Sequence, residues 1–68
     1  MEFKHEELIE REIEIAAYLL QNFSVRQIAN QLTVSKKIIE AHIRNMMRKL
    51  NVANMKDLIK LLNKLQQN

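Results

Sequence analysis

The 68-residue chain contains neither glycine nor proline. Those residues usually punctuate a fold, so the breaks in this chain must come from helix caps and from residues that tolerate a left-handed backbone. Ser24 stands three residues before Gln27, the spacing of a reciprocal capping box, with Phe23 and Ile28 as the hydrophobic staple around it. Ser35 is a second cap, with Val34 and Ile39 as its staple pair, and Asn54 is a third, with Asp57 three residues on. Asn22 and Asn51 follow apolar helical stretches and take the place that glycine usually holds just past a helix end. These marks predict helices over about 5–21, 25–32, 36–50 and 55–65. No good cap residue precedes the first of them. No strand alternation, repeat or low-complexity segment is visible, so the expected fold class is all-α, with four helices.

The absence of glycine also removes phosphate-cradling loops, whose backbone needs positions that glycine reaches easily. The absence of cysteine removes a disulfide framework and any thiolate metal site. A chain of this length is one domain, residues 1–68, with a core too small to spare material for a catalytic cleft. A binding module is expected rather than an enzyme, without cofactor, metal or small-molecule ligand. No apolar run approaches the roughly 18 residues of a membrane span. Met1 to Glu7 is too acidic and polar for a signal peptide, so the expected setting is a reducing cytoplasm.

Charge is divided along the chain. Residues 1–34 carry three basic and six acidic side chains, a net −3, whereas residues 35–68 carry eight and two, a net +6. A basic half suits a polyanionic partner, nucleic acid before membrane, although a lysine-rich solvated surface has the same composition. Helices 2 and 3 are joined by Thr33-Val34-Ser35 alone, which predicts the steep angle of a helix-turn-helix, and Ala29 is small where the two could approach.

At about 100° per residue, Ile39, Ile43, Met46 and Leu50 form the core stripe of helix 3. Lys37, Ala41, Arg44 and Arg48 fall on the opposite stripe, with Glu40 at its edge. Arginine can pair bidentately with guanine, lysine can reach guanine or phosphate, and alanine leaves room for a thymine methyl group. These five are the candidate base-facing residues. Ser35 and Lys36 at the helix N-terminus, together with Arg26, are the candidate phosphate contacts. The plain alternative is that any amphipathic helix has a polar face.

Glu12 falls on the apolar side of helix 1 among Leu8, Ile15, Ala16 and Leu19, so it should form a structural ion pair with Arg48 or Lys49. His42 lies beside the core stripe of helix 3 and should pack there with one ring nitrogen hydrogen-bonded; a lone histidine is no metal site. His5 should be exposed on the first turn of helix 1. Helix 4 spreads Met55, Leu58, Ile59, Leu61, Leu62 and Leu65 over an arc of roughly 160°, more than the roughly 100° its own core needs. The surplus, Leu61 and Leu65 or Ile59, should be exposed in a monomer and form a homodimer face.

Arg11-Glu12-Ile13-Glu14-Ile15, Ser24 through Leu32, Val34 through His42, and Arg48-Lys49-Leu50-Asn51-Val52 together resemble the LuxR-type (GerE-like) helix-turn-helix, without gaps from Leu8 to about Leu62. The resemblance implies a four-helix DNA-binding domain of bacterial transcription regulators. Helix 3 would be the recognition helix and helix 4 the homodimer contact, in a stand-alone regulator or the C-terminal effector domain of a response regulator. Ile9 stands where that family usually has threonine, and Asn22 and Asn51 where it usually has glycine. Glu40 and Ala41 occupy two base-contacting positions where a cation and a polar residue are common, while Lys37 and Arg44 match in type. Two other readings keep the fold. One is a helical adaptor or anti-regulator that captures a protein through helix 4. The other is a sigma-factor-like region that contacts RNA polymerase.

Overall fold

A computed structural model of the chain describes residues 8–66. Four helices follow one another: α1 (Glu10–Leu20), α2 (Val25–Leu32), α3 (Lys36–Leu50) and α4 (Met55–Gln66). Three of them begin where the cap residues stand. Ser24 Oγ accepts the Gln27 amide at 3.1 Å, and Gln27 Oε1 accepts the Ser24 amide at 2.8 Å. Ser35 Oγ accepts the Ile38 amide at 3.2 Å, and Asn54 Oδ1 accepts the Asp57 amide at 2.8 Å. Each bond satisfies a first-turn donor that has no carbonyl one turn back.

The start of α1 departs from the sequence reading. The helix begins at Glu10, not at residue 5; Leu8 and Ile9 precede it in non-helical backbone, and His5 lies outside the described residues. Ile9 has no side-chain acceptor to offer, so half of a capping box is made from the other side: the Glu12 carboxylate reaches back to accept the Ile9 amide at 3.3 Å. That bond fixes the first turn, and the chain before it turns away to bury Leu8 in the core.

The first three helices end in the same way. Asn22, Thr33 and Asn51 have φ of 68°, 60° and 58°, the left-handed region. After each, the next amide donates back to the carbonyl five residues earlier: Phe23 to Tyr18 at 3.1 Å, Val34 to Ala29 at 3.0 Å, Val52 to Met47 at 3.0 Å. These are Schellman motifs built without glycine, each closed by an apolar residue. At the first, the Phe23 and Tyr18 rings meet at 4.9 Å between centroids.

The core collects Ile15, Ala16 and Leu19 of α1, Ile28 and Ala29 of α2, Ile39, Ile43, Met46 and Leu50 of α3, and Leu58 and Leu62 of α4. Burying each large apolar side chain contributes about 1.5–3 kcal/mol against the entropy of ordering the chain. α3 touches all three other helices, and α1 also meets α4. Ala29 is small and buried in α2, where a larger side chain would hold that helix off the core. No helix among the described residues is long and apolar enough to cross a membrane.

Candidate nucleic-acid interface

The three residues between α2 and α3 each have a separate task. Thr33 turns the chain through the left-handed region, half-buried Val34 anchors the turn, and Ser35 caps α3. The cap leaves the N-terminus of α3, with its outward amides and the positive end of its dipole, in solvent beside Ser35, Lys36 and Lys37, all exposed. Arg26, in the first turn of α2, is exposed as well.

α3 is divided lengthwise. Ile39, Ile43, Met46 and Leu50 are buried, as the periodicity requires, while Lys37, Arg44 and Arg48 are exposed on the opposite side. Glu40 and Ala41, within that sector, are half-buried. Glu40 forms no ion pair with Lys36, Lys37 or Arg44, one turn away, among the described residues.

The rotation of α3 about its axis is held by the ion pair expected of Glu12. The Glu12 side chain is 1% exposed and meets Lys49 Nζ at 2.9 Å, a bond between residues 37 apart in sequence. Lys49 rather than Arg48 is the partner, which leaves Arg48 on the outward stripe. The other acids of α1 lie away from this contact: Glu14 pairs with Arg11 at 3.5 Å, and Glu10 is exposed. Negative charge therefore gathers on α1, and positive charge on α3 and α4.

His42 and the apolar side chains of α4 qualify the sequence reading. Of the two ring nitrogens of His42, one of which was expected to be hydrogen-bonded, Nδ1 is buried and has no partner among the described residues. Its neighbours one turn away, Ile39 and Met46, are buried apolar side chains that offer it no strong donor or acceptor. On α4, Ile59, Leu61 and Leu65 are half-buried rather than exposed. Leu61 and Leu65 rest against the core, which takes a wider arc of α4 than the minimum stripe. Leu61 also lines a shallow groove with Val52, Asp57, Lys60 and Lys64, between the α3–α4 turn and α4. Among the described residues no group of three or more histidines or acids could hold a metal ion.

Two features of this region were missed in the sequence. Ile38, in the first turn of α3, is 47% exposed. Its position about 100° from Ile39 sets it at the margin of the core stripe, where the helical period alone assigns neither burial nor exposure. The left-handed Thr33 gave no signal of its own, because a β-branched residue is a poor candidate for positive φ.

The family described as "Bacterial regulatory proteins, luxR family" (GerE) matches residues 6–62. The nitrate/nitrite response regulator protein NarP of Escherichia coli is 47% identical over 45 residues, which cover 66% of this chain and 21% of NarP. The HTH-type transcriptional regulator MalT of Vibrio cholerae is 38% identical over 60 residues, 88% of this chain and 7% of MalT. The response regulator protein TmoT of Ectopseudomonas mendocina is 31% identical over 62 residues, 91% of this chain and 28% of TmoT. The chain thus spans less than a third of the length of each of these relatives. No solved structure matches it. With two capped helices joined by a three-residue turn and a family match over most of its length, the chain belongs to the luxR family of bacterial regulatory proteins, as a DNA-binding helix-turn-helix domain of a transcription regulator.

Proposed function

We propose that residues 1–68 form one sequence-reading unit in which α3 enters the major groove and two copies pair through α4. The observation that carries the reading is the exposed Lys37, Arg44 and Arg48 stripe, on a helix whose capped N-terminus is free to approach a phosphate. Arg44 and Arg48 are the guanine readers, Lys37 reaches guanine or phosphate, and Ala41 and Glu40 stand beside them at base level. Arg26, Ser35 and Lys36 hold the backbone. Ile59, Leu61 and Leu65 supply the apolar contact of the homodimer. Such a unit serves as the effector domain of a response regulator, the class named for NarP and TmoT.

Selection of bound sites from random-sequence DNA by the purified chain gives the preferred duplex. On that duplex Arg44→Ala should cost about 1–3 kcal/mol and relax the preference at one base pair. Lys36→Ala should weaken all sequences alike and lower the salt slope of binding by about one. An Arg44→Ala variant with its site preference intact would show that this face does not read bases.

A further inference from the structure

The third residue of each helix shows a contrast. In α1, α2 and α4 it is Glu12, Gln27 and Asp57, the polar types that suit the first turn of a helix. In α3 it is Ile38, and its side chain is 47% exposed. Ile38 is not part of the core cluster. The staple with Val34 belongs to Ile39, which is fully buried. A β-branched side chain in an exposed helical position brings no propensity advantage, and nearly half of its apolar surface stays in solvent.

The position has a clear value toward DNA. An acid in the first turn of α3 would face phosphates, so the carboxylate that suits α1 and α4 is unfavourable here. Ile38 and Ala41 are neighbours at i and i+3, about 5–6 Å apart at Cβ, and Lys37 lies beside them on the exposed side. A recognition helix brings its N-terminal residues to the base edges. Among the groups that base pairs present in the major groove, the thymine 5-methyl is the apolar one.

We propose that Ile38 is a specificity-determining residue of α3, and that its exposed side chain, with Ala41, covers the 5-methyl group of a thymine in each half-site. The proposal rests on the major-groove reading of α3 given above and adds to it a base that the cationic stripe does not recognise. Arginine and lysine select guanine through hydrogen bonds; Ile38 selects an A·T pair by burying one methyl group.

The test replaces thymine by deoxyuridine, which removes the methyl group and keeps every hydrogen-bonding group of the base. Duplexes recovered by selection from random-sequence DNA are made with each thymine replaced in turn, and binding by the wild-type chain, Ile38→Ala and Arg44→Ala is measured. One position per half-site should show about a fourfold loss of wild-type affinity on replacement, the worth of one buried methyl group. Ile38→Ala should bind the thymine duplex about as weakly as the wild type binds the deoxyuridine duplex, and should not respond further to the replacement. Alanine is a better helix former than isoleucine, so helicity by circular dichroism should be retained in this variant. Three results would overturn the proposal: a selected site without a fixed thymine, deoxyuridine tolerated at every position, or a thymine preference that survives Ile38→Ala. If Arg44→Ala loses its base preference while deoxyuridine is tolerated, the role of Ile38 alone is refuted. If Arg44→Ala keeps its preference, the groove reading of α3 falls.

Discussion

Thr33 holds φ 60° and ψ 44° in the turn between α2 and α3. An L-residue there costs about 1–2 kcal/mol, more when it is β-branched, because Cβ crowds the following carbonyl. The turn imposes the conformation through the Val34 amide bond to Ala29 and the Ser35 cap. Thr33→Gly removes the crowding but restores freedom to the unfolded chain, for a net gain of about 1 kcal/mol. Thermal denaturation should show the midpoint rising by about 4–8 °C. Glu12 is the opposite case, a buried carboxylate held by one counter-charge, Lys49, and by the Ile9 amide. Lys49→Met strands its carboxylate and should cost about 3 kcal/mol, the low end for a broken buried pair because Lys49 is 26% exposed. The double variant Glu12→Leu/Lys49→Met should recover only part of that loss, since it removes the buried charge but also the acceptor of the Ile9 amide that caps α1. Urea denaturation of the two proteins checks both expectations.

At the level of the helix, Glu40 is the acid in the proposed DNA-facing sector of α3, and its substitution tests that assignment. It is half-buried, without an ion pair among the described residues, in the sector that also holds Arg44. Near phosphates it opposes binding, so Glu40→Lys should raise affinity for all DNA and steepen the salt dependence by up to two phosphates' worth. If Glu40 instead accepts a cytosine N4 hydrogen, Glu40→Ala loses preference for one C·G pair and gains little affinity. Isotherms at several salt concentrations on matched and scrambled duplexes separate the two. How much of this was legible in the sequence varied by element. α2, α3 and α4 were legible because a Ser or Asn oxygen takes a first-turn amide at each start. The start of α1 was not, because its cap comes from a glutamate inside the helix. The exposed stripe of α3 followed from the helical period. The exposure of Ile38 did not, since an isoleucine in a periodic helix reads as core until the packing of its neighbours is known. On α4 the width of the apolar arc was visible, but not how much of it the core would take.

For the whole molecule, the question is what a second copy would touch. Leu61 and Leu65 already rest on the core, while Ile59 is half-buried without joining that cluster. Ile59→Asp is therefore the cleaner probe of pairing through α4: it should give a folded monomer with weaker binding to a two-half-site duplex, as sedimentation and titration would show. Leu61→Asp should lose stability as well as pairing. A two-fold dimer would read inverted half-sites about 10 base pairs apart, centre to centre. Wild-type chain that sediments as a monomer at high micromolar concentration, and binds one half-site at full strength, contradicts pairing. Both ends of α3 are tied down, by the Ser35 cap and the Thr33 turn at one end and by the Asn51 turn and the Lys49–Glu12 pair at the other. The helix is therefore complete in the free chain, and association with DNA through it should include no step of helix formation. In titration calorimetry the heat-capacity change should match the apolar surface covered at the contact, without the additional negative term of a segment that folds as it binds.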